Sequence, residues 1–211
     1  NIAPDYWVVN KKFIYFFLIF WSLLLIIYGI YGSQDFHITI QSLRSETLDI
    51  FFLYATRIGE EYVLVPAILI MAILFSWEKD RSYKIRVLTT LLIGLSLAGV
   101  LPQIGKSLWS GALRPMAVWD NLEPIEGLVV SYRKSFPSGH TSITAAWVAL
   151  WSSLAFPKWR APLLMSSAAL IVAISRVYLN MHWLHDVIAG GFLGFLSAYI
   201  GLWAGGFNKT T

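Results

Sequence analysis

Ser175-Arg176-Val177-Tyr178-Leu179-Asn180-Met181-His182-Trp183-Leu184-His185-Asp186 lies between two apolar runs, 161–174 and 187–203. The stretch therefore packs an arginine, two histidines and an aspartate into the joint between two membrane helices. Charge at membrane depth is costly and persists where it meets a partner or a ligand. His182 and Asp186 are four residues apart, a spacing that stacks them on one face of a helix. There the carboxylate can accept a proton from one imidazole nitrogen and fix the tautomer and aim of the other. A histidine held in that way is a better nucleophile or base. The same groups can also anchor helix ends at the lipid headgroups, so the case for chemistry rests on what else reaches the joint.

Working outward, the composition is that of an integral membrane protein. The chain has 211 residues, 57% of them hydrophobic and only 13% charged, and its mean hydropathy is +0.62; a soluble domain is far more polar. A helical bundle of this size holds one core, so residues 1–211 are read as a single domain. There is no cysteine, which excludes disulfides and thiolate metal sites. The net charge of +4 reflects loop bias and a site rather than a nucleic-acid patch.

The expected fold class is all-α and polytopic, with six transmembrane helices plus one interfacial helix. Residues 13–31 form the first apolar run, about 19 residues at 1.5 Å each against a bilayer core of about 30 Å. It lacks the small-residue cleavage site of a signal peptide and reads as a retained helix. Residues 47–59 carry apolar side chains at helical spacing with Asp49 and Arg57 among them, which predicts a helix lying at the interface. Further spans begin at Tyr62, Val87, Thr141, Ala161 and Val187, the third continuing through Pro102 and Gly105 to Lys106. The intervals 78–86 and 157–160 are short basic loops, and 107–136 is a long polar one bearing Asp120, Glu123 and Glu126.

Six spans carry a parity argument. The end of the third, the start of the fourth, the end of the fifth and the start of the sixth all fall on one side. Lys106, Arg114, His140, Arg176, His182 and Asp186 can therefore meet. The other side receives Lys11, Lys12, Lys79, Arg81, Lys84, Arg86, Lys158, Arg160 and Lys209, nine of the 16 lysines and arginines. By the positive-inside rule that side is cytoplasmic, and the polar cluster faces the periplasm or exterior. Lys106, Arg114 and Arg176 suit a multiply charged oxyanion, because arginine offers a planar fork to phosphate oxygens and lysine a mobile point charge. Ser138-Gly139 adds backbone N–H groups at a helix start, where the dipole also favours an anion. One histidine can attack phosphorus while the other protonates the leaving oxygen.

At these residues the chain resembles the type 2 phosphatidic acid phosphatase superfamily, which shares its site with vanadium haloperoxidases. The family pattern is Lys-x6-Arg-Pro, Pro-Ser-Gly-His and Ser-Arg-x5-His-x3-Asp. The second part stands intact at 137–140, and the third as Ser175-Arg176, His182 and Asp186. The first departs from it, since seven residues rather than six separate Lys106 from Arg114-Pro115. Either Lys106 keeps its role and Ser110-Gly111-Ala112 absorbs the extra residue, where glycine opens backbone angles closed to others, or Ser107 takes the lysine's position. The first account is preferred, because a lone charge at that depth needs an anion.

The resemblance implies that His182 attacks phosphorus to give a phosphohistidine, with Asp186 orienting it. It implies that His140 protonates the leaving group and then activates water, and that Lys106, Arg114 and Arg176, with Ser138 and Gly139, hold the phosphate oxygens. It implies no metal and no cofactor. The expected partner is a membrane lipid phosphate or diphosphate within the bilayer, at the outer face of a bacterial-type inner membrane. Undecaprenyl diphosphate is placed first, lipid A phosphate close behind, then phosphatidylglycerophosphate and phosphatidic acid. A lipid-binding or transport protein with intramembrane charges is the alternative of another class; it gives no reason for two histidines to flank a cradle for one phosphate. His185 beside Asp186 suggests a His-x-x-His-Asp metal site, but no third ligand cluster accompanies it. Glu60 and Glu61 read as an exposed helix-start pair, Arg133 and Lys134 as loop charges, and the tryptophans near span ends as an interfacial belt.

Overall fold

A computed structural model of the chain describes residues 9–119, 122, 128, 129, 131–155 and 159–207. Asp120, Glu123, Glu126, Lys158, Lys209 and the side chain of Glu61 lie outside the described residues. Within them the chain forms α1 (Lys11–Ser42), α2 (Glu46–Arg57), α3 (Glu61–Ser76), α4 (Arg81–Leu108), a 3-10 turn (Pro115–Ala117), α5 (Gly139–Leu154), α6 (Arg160–Tyr178) and α7 (Leu184–Ala204).

Side-chain caps set several helix starts: Asn10, Ser45, Asp80 and Ser138 each accept backbone N–H groups of the first turn, supplying partners that a helix start otherwise lacks. A helix does stand at the stretch 47–59, as α2, with Glu46 and Asp49 in its first turn and Arg57 in its last, each sign matching the helix dipole. Among the described residues four helices, α1, α4, α6 and α7, are long and apolar enough to cross a membrane. Helices α3 and α5 have 16 residues each, about 24 Å at 1.5 Å per residue, short of a bilayer core of about 30 Å.

The largest departure from the expected layout is α1, which runs past Tyr31 to Ser42 with a break at Gly32, φ 69°. Residues 33–42 read as mixed because their buried face is polar. Ser33, His37 and Gln41, one helical turn apart, all meet the segment 178–185: Ser33 and His185 hydrogen bond at 2.7 Å, the His37 ring lies 5.6 Å from that of Trp183, and Gln41 donates to the Tyr178 carbonyl at 2.9 Å.

Before the break, α1 buries Phe13, Phe17, Trp21 and Leu24. Phe17 stacks on Phe195 of α7 with ring centroids 5.0 Å apart, and the Trp21 indole donates to the Ile188 carbonyl at 3.1 Å. Helix α5 is the centre of the bundle, packed against α4, α6 and α7. Its close approach to α7 depends on glycine: a Cβ at Gly190 would strike the Ser138 carbonyl, and one at Gly194 the Ser142 carbonyl. Small residues at such crossings let helix backbones come together. At the end of the bundle away from the 175–186 joint, Asn10 bonds Ser153 and the Ser152 carbonyl, each at 2.9 Å, and Arg86 bonds the carbonyls of Gly205 and Gly206 at 3.0 and 2.6 Å. The starts of α1 and α4 and the ends of α5 and α7 thus share one end, as the parity argument requires.

Candidate active site

At the opposite end, Arg176 in the last turn of α6 accepts at its carbonyl the N–H groups of both Met181 and His182, each at 3.0 Å. That turn passes through Asn180 at φ 61° and ends at Trp183, the N-cap of α7. His182 therefore lies before α7, not on it. Its pairing with Asp186 comes from the helix cap: the Asp186 carboxylate reaches back to the Trp183 N–H at 2.9 Å, which sets Oδ2 3.4 Å from His182 Nδ1. Helical stacking gave the right pair for a different geometric reason. Ser135, absent from the sequence reading, donates its hydroxyl to the same Oδ2 at 2.5 Å. Both members of the pair are buried, His182 at 1% exposure. Burial pushes the His182 imidazole down to about 3, with the Asp186 hydrogen bond acting against it.

The phosphate-binding candidates surround this pair. Lys106, Gly139, His140 and Arg176 line one cavity of about 610 Å³, together with Glu60, Gln103 and Met181 among others. The Lys106 ammonium lies against Gly139, 3.5 Å from where a Cβ would stand, so that glycine keeps room beside the cation. Ser107 instead bonds the Gln103 carbonyl at 2.9 Å and is exposed. Between Lys106 and Arg114 the chain leaves α4 and turns through 109–112, closed by Ala112 N–H on the Trp109 carbonyl at 3.0 Å. Gly111 is not among the described glycines of positive φ, Gly32 and Gly206, so this turn needs no glycine-only angle.

Arg114 is buried and stretched across carbonyls, donating to Arg133 at 3.1 Å, Met181 at 3.0 Å and Lys134 at 3.5 Å. A single antiparallel bridge, Leu113 to Arg133, holds the two loop segments together, and Lys134 at φ 58° turns the chain so that Ser135 reaches Asp186. The charges of Arg133 and Lys134 are exposed, while their carbonyls orient Arg114. Arg176 is buried and bonds Thr56 of α2 through one guanidinium nitrogen at 2.7 Å. Its Nε carries no hydrogen-bond partner among the described residues.

Ser138 is present but committed. Its hydroxyl caps α5, 3.4 Å from the Thr141 N–H, and its own N–H donates to the Asp186 carbonyl at 3.0 Å. The donors that α5 leaves open are the first-turn N–H groups of Gly139 and His140, which have no intrahelical acceptor. His140, Arg176, His182, Lys106 and Arg114 lie within electrostatic reach of one another. Glu60, the N-cap residue of α3, makes no side-chain cap bond and faces the cavity instead. Nothing in the sequence marks Ser135, Thr56 or Ser33, because serines and threonines in loops and helices are common and only the fold shows which of them touch a charged group.

Lys106, Arg176, His140 and Gly139 at the start of α5 line the cavity, while Arg114 and His182 are not among its lining residues but lie within electrostatic reach of His140, an arrangement suited to hold a phosphate. Known proteins agree. Over 202 residues the chain is 32% identical to the undecaprenyl-diphosphatase of Sulfolobus acidocaldarius, covering 90% of this chain and 92% of that protein. It is 29% identical over 221 residues to diacylglycerol pyrophosphate phosphatase 1 of Saccharomyces cerevisiae, covering 84% and 74% respectively. In fold it matches Aquifex aeolicus LpxE at a TM-score of 0.65 with 22% identity, over 81% of this chain and 94% of that one. It also matches the PAP2-type phosphatidylglycerolphosphate phosphatase of Bacillus subtilis at 0.64 with 22% identity, over 91% and 93%. Residues 83–209, which include every candidate site residue, match the model of the PAP2 superfamily, and the chain belongs to that family.

Proposed function

We propose that this PAP2 phosphatase hydrolyses the diphosphate head group of a membrane lipid, with a polyprenyl diphosphate such as undecaprenyl diphosphate as the first candidate, through a phosphohistidine on His182. The observation that carries the mechanism is the pairing of the His182 Nδ1 with a carboxylate at 3.4 Å. With Nδ1 held by the carboxylate, Nε2 is the nitrogen left for attack, and burial favours the neutral, nucleophilic form of the ring. Diphosphate is preferred to monoester because both relatives matched along most of this chain are named for diphosphate or pyrophosphate lipids.

In this reading the terminal phosphate settles at the floor of the cavity, its oxygens on Lys106, Arg114, Arg176 and the Gly139 N–H. His182 Nε2 attacks phosphorus, the bridging P–O bond breaks, and His140 delivers its proton to the departing lipid monophosphate. A water that gives its proton back to His140 then attacks the P–N bond, releasing inorganic phosphate and the free imidazole. Six crossings, α1 and α3 to α7, would set this site on the extracytoplasmic side of the membrane, within one domain. A second reading, cleavage of a phosphomonoester such as lipid A phosphate, phosphatidylglycerophosphate or phosphatidic acid, is favoured by Glu60 at the cavity wall, where its carboxylate opposes a second phosphate.

The test is release of inorganic phosphate in detergent, without added metal, from a panel of lipid mono- and diphosphates. The diphosphates should show the higher kcat/KM; a monoester leading the panel favours the second reading, and inactivity on all of them removes both.

A further inference from the structure

Arg176 lines the cavity, and the side chain that holds it comes from an element outside all three sequence motifs. Thr56 of α2 accepts from Arg176 Nη1 at 2.7 Å, and both residues are buried, the threonine at 1% exposure. Helix α2 precedes residues 83–209, the part of the chain that matches the family model. It is fastened to the end of α6 along the face that carries Thr56. Asp49, Phe52 and Thr56 follow at steps of three and four residues, which sets them on one side of the helix. The Phe52 ring lies 4.4 Å from that of Tyr178, and the Tyr178 hydroxyl donates to Asp49 Oδ1 at 2.6 Å. Gln41 of α1 donates to the Tyr178 carbonyl at 2.9 Å. Tyr178 is two residues past Arg176, so these contacts fix the backbone that carries the arginine and the threonine that meets it.

Guanidinium geometry says what the contact does. The planar group can offer an oxyanion two parallel N–H bonds along either of two edges, Nη1 with Nη2 or Nε with Nη2. Thr56 occupies Nη1, so the edge left for a bidentate contact is Nε with Nη2. Nε is a buried donor with no hydrogen-bond partner among the described residues. Such a donor costs free energy until an acceptor meets it, and the cavity that Arg176 lines is where an acceptor would come from.

We propose that Thr56 is a positioning residue for phosphate recognition: by holding Nη1 it presents the Nε–Nη2 edge of Arg176 to the phosphate oxygens. The inference rests on Arg176 belonging to the phosphate cradle, and the experiment separates the two. Serine in place of Thr56 keeps the hydroxyl. Valine keeps the shape but leaves Nη1 without its acceptor, so the fork is released to turn toward another one. Loss of the hydroxyl would therefore act on phosphate binding through Arg176, and only while the residue at 176 has a fork to aim.

The variants are Thr56→Val, Thr56→Ser, Arg176→Lys and the double change Thr56→Val with Arg176→Lys. Each is purified in detergent with its thermal midpoint recorded, assayed on the lipid phosphate that the wild type turns over best, and inhibited with inorganic phosphate. Thr56→Val should lower kcat/KM roughly tenfold, the scale of a lost hydrogen bond to a charged group. The inhibition constant of inorganic phosphate should rise in the same variant, which a role confined to packing α2 on α6 would not cause. Thr56→Ser should stay within about twofold of wild type, since its hydroxyl can accept the same bond. In the Arg176→Lys background a point charge replaces the fork, and the valine should cost less than about twofold further. Wild-type kcat/KM in Thr56→Val, equal losses in the Val and Ser variants, an unmoved inhibition constant, or a full second loss in the Arg176→Lys background overturns the inference. If Thr56→Val does not fold, Thr56→Ala takes its place under the same criteria. An Arg176→Lys enzyme with wild-type activity removes the arginine from the cradle itself, whatever Thr56 does.

Discussion

Asp186 Oδ2 accepts from three groups, and the shortest contact is with Ser135 at 2.5 Å rather than with His182 at 3.4 Å. The carboxylate is thus anchored by the loop before α5 as well as by the cap of α7, and His182 is aimed by a group that is itself fixed. His182→Ala should abolish turnover and the acid-labile phosphoenzyme trapped by rapid quench, whereas His140→Ala should still form that intermediate from a substrate with a good leaving group, which needs little protonation. Equal loss of the intermediate with good and poor leaving groups would argue against His140 as the acid. The sign of the pH dependence follows from burial. The reactive form of His182 is neutral, and its imidazole is held at about 3, below its ordinary value, so the ring stays neutral as pH falls through 6.5 and protonates only near 3. The acid limb of kcat/KM should therefore track the substrate's own second phosphate ionisation, at about 6, and shift when that value is changed. A limb near 6.5 that stays put across substrates would show an ordinary, solvated histidine at this step. At this scale the sequence was a good guide to the charged groups, since charge in an apolar chain is conspicuous. It was silent on Ser135, Thr56 and Ser33, whose roles exist only through a contact distant in sequence.

Elements decide the phase of those side chains. Lys106 and Ser107 are neighbours on α4, and one residue turns a side chain by about 100°; the fold points Lys106 into the cavity and Ser107 onto Gln103. Lys106→Ala should lose about 1.5 to 3 kcal/mol of transition-state binding, tenfold to a hundredfold in kcat/KM, with Ser107→Ala near wild type. Recovery of full activity in Lys106→Ala combined with Ser107→Lys would show that the cradle is drawn one residue out of place. The α5–α7 crossing makes a separate demand. A Cβ at Gly194 would meet the Ser142 carbonyl and the Ala145 Cβ, while one at Gly29 meets nothing within 4 Å. Gly194→Ala should therefore cost about 1 to 3 kcal/mol through overpacking, read as a clear fall in thermal midpoint in detergent, and Gly29→Ala should leave it unchanged. Equal midpoints would mean that the two helices can part at little cost. Helix positions were legible from apolar runs and caps, and α2 from its mixed spacing. The continuation of α1 beyond Gly32 was not, because Ser33, His37 and Gln41 put a polar stripe on a buried face, the reverse of the pattern that marks an amphipathic helix.

For the molecule as a whole, the consequence that matters is which side of the membrane the cavity faces. The end of the bundle opposite the site carries nine of the 16 lysines and arginines, Lys158 and Lys209 by their place in the sequence alone. Of the seven at the site end, Lys106, Arg114 and Arg176 belong to the cradle, and Arg44 is paired with Asp49 at 2.8 Å. Only Arg57, Arg133 and Lys134 remain to oppose the bias. Positive charge in short loops holds its end on the cytoplasmic side, so six crossings would open the site outward and put its lipid phosphate in the outer leaflet. The parity depends on α3 and α5, the two helices of 16 residues, both crossing; if one of them did not, the ends it connects would share a side. The absence of cysteine makes the question direct, since a single introduced thiol is the only one to label. Ser82, exposed in the first turn of α4, and Tyr132, exposed in the loop beside Arg114, mark the two ends. In intact spheroplasts an impermeant maleimide should label Tyr132→Cys, and it should reach Ser82→Cys only after permeabilisation. The reverse pattern would invert the protein and move its substrate to the cytoplasmic leaflet; labelling of both from outside would mean that a short helix fails to cross and that the six-span count is wrong.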